Sequence, residues 1–472
     1  MSRIVEKLHH TLEEGGTRTA AYYLKKGELR RRSFRELSSD IRNMRSYLHE
    51  QGVREGDRIL AFASSGYELC VFMFASLTMG ASIMYVDIHT KQERVGEIFR
   101  KTAPHHILVS DRTRFARVLF PEFRKIRSVI NIDRVTEGPA SSFEPGEIPE
   151  EYPGLITVTT GSTGTPKLFL RTHRDLYEQL LLTMNNNEPA RDDDIALTTS
   201  YIYIFSNLIQ GMTTAIPNVN LGGKRTRKIV SKLEKFRDLP VTRIMTSPDF
   251  CLRTPNMYPA LRTLYFGGAI LNLHEARAIK EKYPEVRIEY IYGSTEQSLI
   301  SKTTLDEYLT ILQDTGTGCL GEPCRGVEVR ISREGNILVK SDALLTRAFD
   351  DFSLQDGFYD THDAGVLRDG KIFYRGKAGF TLTSGGKTLY ANEIEQQVIR
   401  RFPQIPKCAA LQHKGKNWLF VEKSSADPAK VRDFVKETIG LDVTVKELDP
   451  IPKDVKHHTK INYLKLRKMA ER

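Results

Sequence analysis

The chain has 472 residues, too many for a single hydrophobic core, so its length predicts two to four domains. Hydrophobic residues make up 40% and charged residues 27%, the ordinary balance of a soluble globular protein, and we find no low-complexity stretch or internal repeat. The formal net charge of +11 would suit an anionic ligand, a nucleic acid or a membrane surface. The basic residues are spread along the chain, however, and no nucleic-acid-binding module is recognisable, so we expect no nucleic-acid partner.

The N-terminus, one apolar stretch and the cysteines bear on the compartment of the protein. The first 16 residues carry charges and lack the apolar core of a signal peptide. Residues 69–86 contain no charge and reach the lower margin for a membrane span, but polar residues and Gly80 favour a buried helix running into a buried strand. The five cysteines are scattered and complete no zinc pattern. We therefore predict a cytoplasmic protein with reduced thiols and no transmembrane segment.

Residues 1 to about 150 alternate helical and strand-like patterns. Residues 33–51 have apolar side chains at helical spacing, and Ser33 with Glu36 forms a capping-box pattern. Residues 57–62 read as the strand that follows. Later strand candidates are residues 106–109, 128–132, 156–159, 195–198, 244–246, 264–266 and 288–291. Most are separated by helix-length intervals, a pattern typical of multi-sheet α/β proteins with much parallel pairing.

The pattern changes after Gly316. Short strands are predicted at residues 328–331, 336–340 and 371–374, which indicates a smaller β-rich subdomain. From about residue 380 a compact α+β unit follows, with helices at 392–401 and 428–438 and a strand at 418–422. We place the main domain boundary near residues 377–379, so the predicted domains are 1–378 and 379–472.

A loop rich in hydroxyls and glycine follows a strand-like start at residues 157–167, TVTTGSTGTPK. Backbone amides near glycine and the hydroxyls can converge on phosphate oxygens, and Lys167 adds a point charge. The loop is not a Walker A motif, because Gly161 and Gly164 are three residues apart and Pro166 precedes the lysine. Alone, the stretch could equally be a plain linker.

Further stretches follow this loop in a recognisable order. They are YFGGA at 265–269, YIYGSTE at 290–296, GTGCLGEPCRGV at 316–327, GFYDTHD at 357–363, SGGK at 384–387 and ANEIE at 391–395. Together they resemble the motifs of the adenylate-forming superfamily, which contains acyl-CoA synthetases, peptide-synthetase adenylation domains and luciferases. The resemblance implies an α/β fold with a large multi-sheet N-terminal domain of two α/β subdomains plus a small β-barrel-like subdomain, and a small, mobile α+β C-terminal domain.

The resemblance also implies roles for individual residues. The ATP phosphates would be held by Thr160, Ser162, Thr163 and Lys167, with Thr163 also among the catalytic residues. Adenine would lie against Gly268 and Ala269, beside Tyr292 and Gly293. Thr295 would bind the α-phosphate, Glu296 would act in catalysis by holding Mg²⁺, and Asp363 would accept hydrogen bonds from the ribose hydroxyls. Taken singly, Tyr292 could be ordinary core and Asp363 an ordinary turn residue.

The chain departs from the family pattern around the ribose site and the hinge. His362 stands where glycine is usual, and Lys377 stands where arginine is usual. Lysine cannot make the planar bidentate contact of arginine, and Arg375 is a candidate to compensate for it. Gly379 occupies the usual hinge position, where its wide range of backbone angles permits a hinge.

The tail and the acyl pocket leave alternatives open. Aligning the tail on Lys-Ile selects Lys460 as the catalytic lysine; Lys456 competes, and a plain basic surface tail is the third interpretation. His457 and His458 fit a polar surface turn better than a base or a metal site. Tyr203 and Phe205 are candidate walls of the acyl pocket.

The expected activity is ATP- and Mg²⁺-dependent activation of a carboxylic acid to an acyl-adenylate, with release of pyrophosphate. The Ser384-Gly-Gly segment resembles acyl-CoA synthetases, where small residues leave room for the thiol of coenzyme A, so an acyl-CoA ligase is favoured. The alternatives are transfer to a carrier-protein thiol, a β-lactone synthetase acting on a β-hydroxy acid, and a non-catalytic nucleotide-binding relative. A fatty, an aryl or a short acid could each be the substrate, and the sequence does not indicate an oligomeric state.

Overall fold

The structure is a computed structural model that describes residues 1–63, 66–86, 90, 92–111, 113, 120–134, 146–158, 167–219, 226–349, 352–453 and 460–471. It is a mixed α/β protein with a large multi-sheet N-terminal domain and a smaller C-terminal domain. The helices are α1 (Arg3–Gly15), α2 (Phe34–Glu50), α3 (Tyr67–Thr78), α4 (Gln92–Thr102), α5 (His173–Asn186), α6 (Tyr201–Ile209), α7 (Thr226–Leu233), α8 (Pro248–Arg253), α9 (Leu273–Lys282), α10 (Leu305–Thr315), α11 (Ala391–Arg401), α12 (Pro428–Phe434) and α13 (Tyr463–Ala470).

The strands of the N-terminal half are β1 (Thr19–Lys25), β2 (Glu28–Ser33), β3 (Arg58–Phe62), β4 (Ser82–Tyr85), β5 (His106–Val109), β6 (Ser128–Asn131), β7 (Pro153–Val158), β8 (Leu168–Thr172), β9 (Ile195–Thr198), β10 (Thr213–Ile216), β11 (Arg243–Thr246), β12 (Thr263–Gly267) and β13 (Arg287–Tyr292). Those of the C-terminal half are β14 (Ser301–Thr304), β15 (Gly318–Cys319), β16 (Glu322–Pro323), β17 (Glu328–Ile331), β18 (Asn336–Lys340), β19 (Tyr359–Arg368), β20 (Lys371–Lys377), β21 (Thr381–Ser384), β22 (Lys387–Tyr390), β23 (Cys408–His413), β24 (Lys416–Glu422) and β25 (Thr444–Leu448).

Two largely parallel sheets form the body of the N-terminal domain. One has the strand order β6-β5-β3-β4-β7-β8, in which only β8 pairs antiparallel. The other has the order β16-β14-β13-β12-β11-β9-β10-β1-β2, with parallel pairing from β1 through β13. Runs of buried apolar residues in these strands reflect helices packed on the sheet faces.

β15 and the strands from β17 onward form smaller sheets, whose pairs are antiparallel except that of β24 with β25. One sheet has the order β15-β20-β19-β18-β17, and β21 pairs with β22 as a hairpin. The C-terminal domain contains the sheet β23-β24-β25, against which α11 packs. The short strands β17, β18 and β20 agree with the β-rich subdomain that the sequence pattern predicts after Gly316.

Local sequence signals account for several element boundaries. The predicted capping box is present: Ser33 Oγ accepts from Glu36 N at 3.2 Å, and Ser33 N donates to Glu36 Oε2 at 2.7 Å. The apolar stretch 69–86 forms α3 and β4, separated at Gly80, whose φ of 67° lies in the left-handed region. Among the described residues, no helix is both long and apolar enough to cross a membrane.

Candidate active site

The candidate site begins where two parallel strands end side by side. Gly267, at the end of β12, lies opposite Ile291 of β13, and a Cβ at Gly267 would lie only 2.4 Å from the Ile291 carbonyl oxygen. Gly268 follows with a φ of +90°, and a Cβ there would meet no atom within 4 Å. Glycine is therefore required for close strand packing at the first position, and the second leaves an open face. Ligands of α/β proteins bind outside the carboxyl ends of parallel strands, which is where this open face lies.

The predicted ribose carboxylate lies beside the predicted adenine ring partner. The Tyr292 hydroxyl, at the end of β13, donates to Asp363 Oδ2 at 2.8 Å. Asp363 is 8% exposed, and burial, followed by the charge of Asp363, raises the pKa of Tyr292 well above its ordinary value. The hydroxyl therefore stays protonated and can fix the carboxylate as a donor.

A cation approaches the second oxygen of the same carboxylate. Lys377 lies opposite Asp363 in the β19–β20 register, and its Nζ is 2.6 Å from Asp363 Oδ1. Among the described residues, Oδ1 makes this ion pair and no hydrogen bond. A buried carboxylate that one cation and one hydroxyl hold beside an open glycine face suits a ligand that carries hydroxyls.

Arg375 is engaged elsewhere. Its guanidinium forms an ion pair with Glu393 of α11, with Nε 2.6 Å from Oε1, and stacks 4.1 Å from the ring centroid of Tyr390. The structure therefore brings Lys377 to Asp363 and places Arg375 against the start of the C-terminal domain.

His362 adopts a backbone conformation that explains why glycine is usual at this position of the family pattern. Its φ is 55°, in the left-handed region that side chains rarely occupy. The backbone N–H donates to Asp360 Oδ1 at 2.7 Å, which holds the turn that delivers Asp363.

Glu296 is a buried carboxylate close to the same strand. It is 8% exposed, and its carbonyl oxygen accepts from Leu345 N at 2.9 Å. Burial, followed by the charge and hydrogen bond of Glu296, raises the pKa of Tyr359 in β19, so the carboxylate faces that hydroxyl. The described residues contain no group of three or more side chains able to hold a metal. A single buried carboxylate nevertheless fits Mg²⁺, which takes one or two protein carboxylates and fills its remaining positions with phosphate oxygens and water.

Arg171 is a candidate site residue that the sequence reasoning missed. It is 5% exposed, its Nη2 donates to the Thr295 carbonyl at 2.8 Å, and its Nη1 donates to Thr157 Oγ1. It thereby joins Thr157, the first residue of the predicted phosphate loop at the end of β7, to the segment that carries Glu296. The available signal was a lone charge in the otherwise apolar strand β8.

The remaining predicted residues lie in several places. Thr160, Ser162, Thr163, Lys456, His457 and His458 lie outside the described residues. Lys167 is half-buried beside β8, Lys460 is exposed in the C-terminal domain, and Tyr203 is half-buried in α6. Phe205 is buried and stacks on Phe74 with ring centroids 5.0 Å apart, as a core residue does. Ala269 and Gly293 follow the ends of β12 and β13: Tyr290 Oη donates to the Ala269 carbonyl at 2.6 Å, and a Cβ at Gly293 would lie 2.3 Å from the Ser298 carbonyl oxygen.

Comparisons with known proteins agree with this arrangement. The chain is 23% identical over 357 residues to a D-alanine–D-alanyl carrier protein ligase of Staphylococcus haemolyticus (strain JCSC1435), covering 70% of each chain. It is 24% identical over 404 residues to the Bacillus subtilis (strain 168) protein named "Putative acyl--CoA ligase YdaB", covering 79% of each chain.

Solved structures share the fold. The O-succinylbenzoate coenzyme A synthetase of Bacillus subtilis, in complex with ATP and magnesium, superposes with a TM-score of 0.80 at 19% identity, covering 97% of this chain and 99% of that one. The model of the AMP-binding enzyme family matches residues 8–342, a span that includes Gly267, Gly268, Tyr292 and Glu296. With most of its length matched to that model, the chain belongs to the AMP-binding enzyme family.

Proposed function

We propose that the protein activates a carboxylic acid with ATP, giving an acyl-adenylate and pyrophosphate. The observation that carries the proposal is the Asp363 carboxylate, held by Tyr292 and paired with Lys377, beside the open glycine face at the ends of β12 and β13. Glu296 lies close enough to share the neighbour Tyr359 with Asp363. Pure nucleotide binding would not need that additional buried carboxylate.

The nucleotide would bind across this edge. The ribose hydroxyls would donate to Asp363, and adenine would lie between the backbone at Gly268–Ala269 and the ring of Tyr292. The phosphates would extend toward Thr160, Ser162, Thr163 and Lys167, and Arg171 would keep the end of β7 against the Thr295 segment. When bound at Glu296, Mg²⁺ would supply charge neutralisation for the phosphates.

The chemical step would consist mainly of positioning and charge neutralisation. The acid's carboxylate oxygen forms a bond to the α-phosphorus, and the bond from that phosphorus to the bridging oxygen of pyrophosphate breaks. Lys460 would neutralise charge on the carboxylate and α-phosphate during this displacement. The residue after Lys460, Ile461, pairs through its backbone with Lys453.

The acyl group would then pass to a thiol, and we favour coenzyme A as its source. The Ser384-Gly-Gly turn supports this choice, because Gly385 and Gly386 have φ values of 55° and 76° and a Cβ at either would meet nothing within 4 Å. The named activities of relatives include both a carrier-protein ligase and an acyl–CoA ligase, so a carrier-protein thiol is the second candidate. A β-hydroxyl of the substrate itself is the third.

We also propose that residues 1–378 and 379–472 are the two domains, with Gly379 as their hinge. β20 ends at Lys377 and β21 begins at Thr381, and a Cβ at Gly379 would meet nothing within 4 Å. The small domain could then deliver Lys460 for adenylation and the glycine turn for thiol transfer.

Pyrophosphate release tests this proposal. The full chain would be incubated with ATP, Mg²⁺ and a panel of fatty, aryl and short acids, with and without coenzyme A. Release with one acid that yields an acyl-CoA by mass supports the ligase. Release without a coenzyme A product assigns the acceptor to a carrier protein or a hydroxyl. ATP binding with no release for any acid class contradicts the enzymatic proposal.

A further inference from the structure

The loop at residues 268–272, the proposed adenine wall, ends in a capping box that starts α9. Asn272 Oδ1 accepts from Glu275 N at 2.9 Å, and Asn272 N donates to Glu275 Oε2 at 3.2 Å. The box fixes where the loop ends and the helix begins, because it satisfies backbone groups that have no partner inside the helix.

Both residues of this box also contact the C-terminal domain. Asn272 Nδ2 donates to the Pro406 carbonyl at 3.1 Å, and Glu275 Oε1 lies 2.7 Å from Lys407 Nζ. The Lys407 side chain is 8% exposed and that of Glu275 15%. A charged pair this buried is costly to break from one side, because the remaining charge stays desolvated. Each residue therefore serves the helix start with one atom and the domain contact with another.

A third contact reaches the loop itself. Gln396 of α11 is 4% exposed and donates from Nε2 to the Leu271 carbonyl at 3.2 Å. The N-terminal domain holds the same loop through Tyr308 Oη, 2.6 Å from the Leu271 carbonyl, and Tyr290 Oη, 3.1 Å from Leu271 N. The loop backbone is thus held both by tyrosines of one domain and by the Gln396–Lys407 segment of the other.

We propose that Gln396, Pro406 and Lys407 of the C-terminal domain position the loop 268–272 for the nucleotide, so that docking of this domain and nucleotide affinity depend on each other. This inference rests on the proposed function for the identity of the ligand. Coupling of this kind is reciprocal: contacts that favour the bound form of the loop in the docked state raise affinity there, and the nucleotide favours docking equally. These three are positioning residues, because they act through the loop and reach no substrate.

The test uses full-length single variants of the interface. Gln396→Met removes the donor to Leu271 while keeping side-chain length, and Leu271 retains its bond from Tyr308. Lys407→Met removes the ion pair, and Lys407→Arg restores the charge. Arg400→Met is the matched control, since Arg400 also crosses between the domains, to the Gln313 and Asp314 carbonyls at 3.3 and 3.2 Å, without touching the loop.

Two quantities would be measured for each variant: the dissociation constant for ATP, and hydrogen exchange of the amides at residues 268–272. We expect Gln396→Met and Lys407→Met to weaken ATP binding about three- to tenfold, the range of one or two lost hydrogen bonds, and to speed exchange of the loop amides. Lys407→Arg should recover most of the loss, and Arg400→Met should stay within twofold of wild type.

If both Gln396→Met and Lys407→Met leave the ATP dissociation constant and the exchange of the loop amides unchanged, the proposal is wrong. Equal effects in Arg400→Met would also overturn it, because they would show that Gln396 and Lys407 do nothing for the loop that a domain contact away from the loop does not do. If the wild-type protein binds no ATP, the proposed function fails, and loop exchange in Gln396→Met still decides whether the C-terminal domain positions the loop. Thermal unfolding of each variant identifies any that fail to fold, and Gln396→Met leaves no buried charge unpaired.

Discussion

Lys377 and Asp363 face each other across the antiparallel strands β19 and β20, with Nζ 2.6 Å from Oδ1. The lysine stands where the family resemblance leads one to expect arginine. An ammonium neutralises the carboxylate as a point charge and leaves its lone pairs available, whereas a guanidinium would engage them in a planar fork. The proposed ribose site is therefore built here with a smaller cation.

Removal of this cation should weaken nucleotide binding more than it weakens the fold. Lys377→Met is expected to raise KM for ATP about tenfold, because the Asp363 carboxylate loses the charged partner that holds it in place for the ribose. The Lys377 side chain is 42% exposed, but Asp363 would stay buried without its cation, so the unfolding midpoint should fall somewhat while the variant still folds. Lys371→Met is the control, because Lys371 lies on the same strand, β20, and forms an ion pair with Glu307 of α10 away from Asp363. Equal changes in KM for both variants would contradict the assignment.

Tyr292→Phe removes the hydroxyl and keeps the ring, so it tests the two parts of the side chain separately. The ring stays to stack on adenine, while the 2.8 Å hydrogen bond to Asp363 is lost. We expect KM for ATP to rise about three- to tenfold, with kcat within twofold, because the hydroxyl orients a binding group and contacts no reacting atom. A loss confined to kcat in steady-state kinetics would argue against this role.

Glu296→Gln should abolish Mg²⁺-dependent turnover while the side-chain volume is kept. The carboxylate is the proposed protein ligand of the ion, and an amide carries no charge to hold it. Pyrophosphate release would be measured over a magnesium titration, with the surface substitution Glu307→Gln as control. Normal activity of Glu296→Gln at low magnesium would remove the metal assignment.

The two tail lysines can be separated by single substitutions. Lys460→Ala should lower adenylation by orders of magnitude, through lost charge neutralisation in the displacement, while ATP binding largely survives. Lys456→Ala should remain within severalfold of wild type in the same pyrophosphate assay. The reverse pattern would move the catalytic role to Lys456.

Glu395 should make stability depend on pH. Its Oε1 accepts from Tyr463 Oη at 2.6 Å and Ala410 N at 2.9 Å, and burial raises its pKa to about 8 from an ordinary 4.5. Between these values the folded chain keeps a proton that the unfolded chain releases, so this group's contribution is complete below pH 4.5 and is lost as pH rises through 8. The Glu395→Gln variant should lack that loss. The difference between its thermal unfolding midpoint and that of wild type should therefore grow from pH 5 to pH 8; a constant difference would contradict the shift.

Local patterns were enough for much of the fold. The strands at residues 106–109, 195–198 and 328–331 match the predicted bounds, and the capping box at Ser33 and Glu36 is present. Such features depend on side-chain alternation and on hydrogen bonds within one helical turn, which neighbouring residues determine. Motif order likewise predicted that residues at the ends of β12 and β13 would line the site.

Contacts between distant segments were not predictable in the same way. Arg171 and Thr295 are 124 residues apart in sequence, and Glu275 and Lys407 are 132 apart. A buried charge reveals nothing in sequence about its partner, because the partner is chosen by how sheets and domains pack. Arg171 therefore remained hidden, as did the contact of the C-terminal domain with the α9 capping box.

The sequence by itself determined the family motifs, much of the order of strands and helices, and two candidate cations, Arg375 and Lys377, for the Asp363 carboxylate. Only the tertiary structure decided between those cations. The register of β19 and β20 pairs Asp363 with Lys377 and Ala364 with Gly376, then shifts so that Gly365 pairs with Tyr374. Arg375 is thus the extra residue of a bulge, which redirects its side chain to Glu393. A bulge arises from the pairing of two strands, so no single strand's sequence specifies which cation reaches Asp363.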